Sequence, residues 1–479
     1  MKFNNCYFLA LMMSITFSTS ANTQDLIEAK LLRTYVPLQL LLQFGLPASN
    51  SIELYKIQYT TPNANGVQDT ASGLLVVPLL DEALPVIAYH HGTTSPRENV
   101  ASREQFHIAE LYLGGNGFLT TSADFLGMGD AKGFHPYLHA ATQASASIDL
   151  LRAVRIFCNN KGIQQSEHLF ITGYSQGGHA AMATFKTLET SFATEFPVTA
   201  AAPLSGPYNL TGSFRADITA NKEYLFPAYF AYLVKGYQAV YGDIYNELTD
   251  IFRPQYAALI DKFDNQPDYP LDALNEDLLK LLREESEVAT PRFLFQDNII
   301  NAFIENDRSN SLINALNENN VFDWVPNAPM RMYYCEADEQ VPFQNAIFTD
   351  SLMNARGAKD VQAISVGDTL DHGACSVPAF LSAETFFRTF LETTSTKAPL
   401  LAKDVIIYPN PTSDLLNIQM ENPLEEITLT LFDELGRIVQ TAENKTSMPI
   451  AHLKNGCYLL KIQTKEQVIV KRIIKKAER

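Results

Sequence analysis

The sequence predicts an α/β fold: a mostly parallel sheet with helices on both faces, an inserted helical cap, and a small all-β sandwich after it. Three observations predict this. Short apolar runs such as VIAYH and LFITG lack polar alternation, as strands covered on both faces do. They alternate with segments of helical spacing, and strand–helix alternation builds parallel sheets. Beyond Val405 the apolar period becomes two, the pattern of half-buried strands.

Taken in order, MKFNN is a short basic start, CYFLALMMSITF an apolar run and STSAN a small-residue cleavage region, so residues 1–21 read as an export signal. DLIEAKLLRTYVPLQLLLQF reads as an N-terminal helix ending at Gly45. IELYKIQYTT and TASGLLVVP form a strand pair around the turn PNANG. LPVIAYHHG is a third strand, EQFHIAELYLGGN a helix with a glycine stop, and GFLTTSAD a strand. ATQASASIDLLRAVRIFCNN (helix), HLFITG (strand), HAAMATFKTLET (helix) and VTAAAPLS (strand) follow.

The rhythm stops between Gly206 and Asn327, a helix-like stretch rich in Tyr and Phe, and resumes with the strand MRMYYC. A helical cap inserted between two sheet strands, about 207–327, accounts for this. The helix FQNAIFTDSLMNAR, the strand VQAISV and the helix AFLSAETFFRTFLETT complete a domain spanning 22–395. TTSTKAP is a linker, and 396–479 holds the period-two strands.

Composition narrows the function. The chain of 479 residues has a formal charge of −17, which argues against nucleic-acid binding and gives anionic membranes no attraction. No apolar run approaches the roughly 20 residues of a spanning helix. Cys158, Cys335, Cys375 and Cys457 are too few for a disulfide scaffold, and no C-x-x-C pair points to zinc. His90 and His91 are adjacent on a strand, where side chains point to opposite faces, so they do not read as a metal pair. No metal or cofactor is expected.

Gly173-Tyr174-Ser175-Gln176-Gly177 lies where a strand hands over to a helix. G-x-S-x-G in that context presents serine on a sharp turn at a helix N-terminus, where free N–H groups favour an oxyanion. The serine needs a base, and an acid to orient the base. Of the histidines after Ser175, His452 falls in the β domain, which leaves His372 in the loop GDTLDHGACS. His179 is a packed helix residue. Asp338, after MRMYYC, is the candidate acid, with Glu336, Glu339 and Asp371 as alternatives. The oxyanion donors are the backbone N–H of Gln176 and, from HHGTTSP, that of Thr93, with Gly92 or Thr94 as alternatives.

HHGTTSP, ADFLGMGD, HPYL, GYSQGG, ADEQVP and DHG, in this order, resemble the secretory lipase and esterase branch of the α/β-hydrolases from about Asp25 to Thr394. The resemblance implies a secreted serine hydrolase of carboxylic esters, acting on a small-molecule or lipid ester without a cofactor. It carries Ser175, Asp338 and His372 over as nucleophile, acid and base, and places Asp124 to Asp130 at the entrance. YPNP, LFDELGRIV, CYLLKIQ and VIVKRIIKK resemble a type IX secretion sorting domain. That implies the secretion machinery as partner, and release or attachment at the outer surface after passage through the periplasm.

Cys335 and Cys375 each lie three residues from a triad candidate, so a contact between Asp338 and His372 would bring them within reach of a disulfide. The cap's aromatic residues suit a hydrophobic substrate pocket. Two rival readings are a serine peptidase of the prolyl-oligopeptidase type and a non-catalytic surface-binding protein on a hydrolase scaffold. Only about 50 residues precede the sheet, too few for a propeller, and a binding module has no need of all three triad residues.

Overall fold

The computed structural model describes residues 26–391 other than 105–107, 221 and 287, and residues 405–476 other than 421–426, 434–437 and 465–467. The export signal and the linker TTSTKAP lie outside the described residues.

Among the described residues nine strands form one sheet. In chain order they are β1 (Leu26–Tyr35), β2 (Ile52–Pro62), β3 (Gln68–Pro78), β4 (Leu84–His90), β5 (Leu119–Ala123), β6 (Gln165–Tyr174), β7 (Ala200–Leu204), β8 (Met330–Cys335) and β9 (Val361–Gly367). Their spatial order is β1-β2-β3-β5-β4-β6-β7-β8-β9. β1, β2, β3 and β5 pair antiparallel, and β5 onward is parallel. The parallel strands are the ones whose apolar runs lacked alternation. All of β5 and β7 is buried.

The helices of this layer are α1 (Pro37–Phe44), α2 (Ile108–Gly115), α3 (Ala140–Lys161) and α4 (Gln176–Ser191). On one face α3 and α4 share a core with Ile171 and Ala201. On the other, Leu113 of α2 packs with Phe170 and Ala202.

The N-terminus departs from expectation. Residues 26–35 are a strand paired antiparallel with β2, and only α1 is helical. The register with β2 shifts twice, between Leu26 and Glu28 and between Leu31 and Arg33. Each bulge adds a residue to the two-residue alternation. Burial in β1 therefore recurs every third residue, at Leu26, Ala29, Leu32 and Tyr35, and imitates a helical stripe. Pro37 ends the ambiguity: it holds Val36 extended and starts α1 at its first position.

Residues between β7 and β8 form the cap, with α5 (Leu210–Thr219), α6 (Ala228–Tyr241), α7 (Pro254–Ile260), α8 (Leu271–Glu285), α9 (Asp297–Glu305) and α10 (Ser311–Glu318). Tyr232, Tyr237, Phe252, Phe263 and Phe295 are fully buried in a core of the cap's own, so most of its aromatic content is packing. α11 (Gln344–Ala355) then joins the α3 face, and α12 (His372–Arg388) joins the α2 face.

The C-terminal strands are β10 (Val405–Tyr408), β11 (Leu415–Met420), β12 (Ile427–Phe432), β13 (Ile438–Glu443), β14 (Ser447–Pro449), β15 (Gly456–Thr464) and β16 (Val468–Lys475). They form antiparallel sheets β10-β11-β14 and β13-β12-β15-β16, which share a core including Leu416, Leu429 and Leu460. β12 alternates strictly between buried and half-buried residues, as its period predicts.

Candidate active site

Ser175 is the single residue between β6 and α4, with φ 60° and ψ −120°. A non-glycine residue there costs of order 1–3 kcal/mol, so the surroundings must enforce it. They do so from both sides. The Ser175 N–H donates to the Leu204 carbonyl of β7 at 3.0 Å, and the Ser175 carbonyl accepts from Gly178 and His179. A Cβ on Gly177 would lie 2.0 Å from the His90 carbonyl, and one on Gly173 would lie 2.4 Å from the Gly177 carbonyl. The glycines let strand and helix pass that closely. The Ser175 side chain caps no amide of α4.

Asp338 follows β8, and its side chain is almost fully buried. One carboxylate oxygen accepts the backbone N–H groups of Gln340 and Val341, at 3.0 and 2.8 Å. The other meets His372 Nδ1 at 2.7 Å. Among the alternative acids, Glu339 accepts the backbone N–H of His372 at 2.9 Å. Asp371 caps α12 by accepting from Ala374, and Glu336 is exposed. Only Asp338 bonds the ring.

His372 is the first residue of α12 rather than a loop residue. Its ring lies against Tyr174, with centroids 4.9 Å apart, and the Tyr174 hydroxyl donates to the His372 carbonyl at 2.5 Å. The residue beside Ser175 thus holds the backbone of His372. Cys335 and Cys375 are joined as a disulfide, with Cα atoms 5.9 Å apart, which ties the end of β8 to the first turn of α12. Cys158 is free and buried, as a core residue.

His179 is fully buried: Nε2 donates to the Asn319 carbonyl at 2.9 Å, and Nδ1 faces the Gln143 side-chain amide at 2.8 Å. Burial lowers it to about 4, so it is a neutral strut between α3, α4 and the cap. His90 bonds the Thr172 carbonyl and the Thr184 hydroxyl, while His91 bonds the carbonyls of Gly92 and Asp124.

The loop after β4 runs beside Ser175: a Cβ on Gly92 would lie 3.9 Å from the Ser175 Cβ. Among the described residues, the backbone N–H groups of Gln176 and of all three loop candidates, Gly92, Thr93 and Thr94, have no acceptor. The Thr93 side chain is held by Tyr137 and that of Gln176 by His135.

Two cavities lie here, one at Ser175 and one along this loop. The first is lined by Ser175, Gln176, Val341 and the cap residues Phe214, Tyr229 and Phe230, and encloses about 40 Å³. That is room for two or three waters. Asp217 also lines it, and burial raises its carboxyl to about 6. The second is a groove of about 660 Å³ between Thr93, Ser95 and Asn99 on one side and Phe226, Asp272 and Glu276 of the cap on the other.

Asp124 and Asp130 line neither cavity. Asp124 is fully buried and accepts the hydroxyls of Ser72 and Ser102, and Asp130 pairs with Lys56 and Arg103. These two side chains of the ADFLGMGD turn brace the fold. The contacts of Tyr174, and of Tyr229 with the acid loop through Gln340 at 2.9 Å, were missed in the sequence. Tyr174 had a signal, since it is the variable residue just before the serine of the motif.

A mostly parallel sheet with serine, acid and histidine after the carboxyl ends of β6, β8 and β9 defines an α/β-hydrolase. Solved structures agree. The rice cell wall degrading esterase LipA from Xanthomonas oryzae is 25% identical, with a TM-score of 0.66 over 77% of this chain and 97% of its own. A crystal structure of a Legionella pneumophila protein is 27% identical, with a TM-score of 0.68 over 78% of this chain and 100% of its own. Candida antarctica lipase A, at 15% identity and a TM-score of 0.58 over 78% of this chain and 83% of its own, shares the fold. No curated protein matches the chain by sequence.

The secretory lipase family matches residues 102–378, and the chain belongs to it. Residues 406–476 match the secretion system C-terminal sorting domain. The protein is a secreted lipase or esterase.

Proposed function

We propose that the protein hydrolyses carboxylic esters through an acyl-enzyme on Ser175. The observation that carries this reading is the 2.7 Å contact between Asp338 and His372 Nδ1. A carboxylate only accepts, so Nδ1 bears the proton and Nε2 is left as the base. His372 takes the Ser175 proton as the hydroxyl oxygen attacks the ester carbonyl. The N–H groups of Thr93 and Gln176 receive the oxyanion, and Asp338 stabilises the imidazolium. His372 then gives its proton to the leaving alcohol. It next takes a proton from water, which attacks the acyl-enzyme, and returns that proton to Ser175 Oγ as the acid leaves.

The confined cavity at Ser175 favours a short acyl group, with the alcohol side toward the open groove. Family membership and the esterase neighbour favour an ester over an amide. Residues 22–395 form the catalytic domain with the cap at about 207–327. Residues 1–21 direct export to the periplasm, and 396–479 engage the type IX machinery.

Ser175→Ala is expected to abolish p-nitrophenyl acetate turnover with an unchanged circular dichroism spectrum. A fluorophosphonate probe is expected to label wild type and not the variant. Normal turnover by the variant removes the serine mechanism.

A further inference from the structure

His135-Pro136-Tyr137-Leu138 has no role in the mechanism above, yet two of its side chains reach the two proposed oxyanion donors. His135 Nε2 lies 2.7 Å from Gln176 Nε2, and the Tyr137 hydroxyl lies 2.8 Å from Thr93 Oγ1. The polarity of the first contact is fixed. His135 Nδ1 faces the Leu126 carbonyl at 2.8 Å, which only accepts, so Nδ1 carries the ring proton. Burial lowers His135 to about 3, so the ring is neutral and Nε2 offers a lone pair. Gln176 therefore donates its amide to His135.

That orientation leaves Gln176 Oε1 buried with no partner among the described residues. An apolar side chain at 176 would leave the buried His135 Nε2 without its donor, so the two side chains act as a pair. What the contact does achieve is to fix the first residue of α4, whose N–H is the donor beside Ser175.

The segment is itself held rigid by the cap. The Tyr137 ring stacks on Tyr232 of α6, with centroids 4.5 Å apart and planes 3° apart. Tyr232 also donates to Asn265 Oδ1 at 2.9 Å and lies 3.2 Å from the Thr94 carbonyl, beside Thr93. A Cβ on Gly236 would meet the backbone of Tyr137 at 2.8 Å and of His135 at 3.0 Å, so α6 lies directly on this segment.

We propose that His135 and Tyr137 are positioning residues that set the two halves of the oxyanion hole, one through Gln176 and the other through Thr93, from a single segment clamped by the cap. The inference rests on the ester-hydrolase reading above. It makes the HPYL segment the link between cap packing and transition-state binding.

The test uses the full-length protein with His135→Ala, Tyr137→Phe, Gln176→Ala and the double variant His135→Ala/Gln176→Ala. The rate is read with p-nitrophenyl acetate, and oxyanion binding with a trifluoromethyl ketone inhibitor. Each of His135→Ala and Tyr137→Phe is expected to lose roughly tenfold or more in kcat with KM within about twofold, part of the roughly 10²–10³ that one lost donor costs. Inhibitor affinity is expected to fall in step. The double variant is expected to match Gln176→Ala, because His135 acts through that side chain.

Unchanged kcat in both single variants, a rise confined to KM, or losses that multiply in the double variant overturn the proposal. If His135→Ala fails to fold, Tyr137→Phe alone decides, since it removes one hydroxyl and keeps the ring stack. If wild type itself resists the fluorophosphonate probe, it is the serine reading that fails. A labelled wild type with indifferent variants isolates failure of the clamp.

Discussion

Glu339 accepts the backbone N–H of His372 at 2.9 Å, while its neighbour Asp338 takes the imidazole. Two adjacent acids thus hold one histidine, one by its main chain and one by its ring. The sequence favoured Asp338 with Glu339 as an alternative, and the difference in atoms contacted separates their expected roles.

Asp338→Asn keeps an oxygen for the amides of Gln340 and Val341 but removes the charge opposite Nδ1. The expected loss is roughly 10⁴ in kcat, from a wrong tautomer and an unsupported imidazolium. Glu339→Gln still accepts the His372 N–H and loses only charge assistance, so less than about tenfold is expected. Steady-state kinetics on p-nitrophenyl acetate checks both; equal losses would contradict the assignment.

The disulfide closes a loop with a sequence separation of 40 and sits three residues from both Asp338 and His372. Replacing both cysteines by serine is expected to cost about 2–4 kcal/mol in denaturant unfolding. Because the bridge ties the acid's strand to the base's helix, kcat is expected to fall as well. A variant with lower stability and undiminished kcat would make the bridge a staple of the fold alone.

Stability is expected to fall as pH drops below about 6.5. Burial lowers His90, His139 and His179 to about 4 and His135 to about 3. The unfolded chain protonates these near 6.5 and the folded chain refuses the protons, so acidification favours unfolding down to about 4. Glu110 and Asp217 act oppositely: burial raises them to about 7 and about 6, and the folded chain binds their protons first. Asp124, Asp149 and Asp350, also raised by burial, act on the same side. Four histidines moved this far outweigh the raised carboxyls, which leaves lower stability at pH 5 than at pH 7 in urea unfolding. Glu110→Gln removes one opposing group and is expected to steepen the drop. A flat profile in both proteins would contradict the balance.

The parallel sheet was legible because each strand carries its own apolar run, and the contact of Asp338 with His372 was legible because α/β-hydrolases order serine, acid and histidine along the chain. β1 was not, because two bulges turned its alternation into a threefold repeat. The start of α12 was hidden for a different reason. Pro378 lies inside that helix, and a proline normally marks a helix boundary, so the residues before it read as loop. The tie from His135 to Gln176 spans 41 positions and depends on side-chain directions that no local pattern carries.

The φ of 60° at Ser175 belongs to the backbone and persists whatever side chain stands there. Ser175→Ala keeps the unfavourable conformation, but Ser175→Gly relieves it, because glycine visits positive φ freely. Allowing for glycine's greater freedom when unfolded, the glycine variant is expected to gain about 1 kcal/mol over wild type in urea unfolding. Endurance and reactivity are therefore opposed at one position. A search for heat-tolerant variants that ignored turnover would enrich glycine at 175 and recover an inert protein.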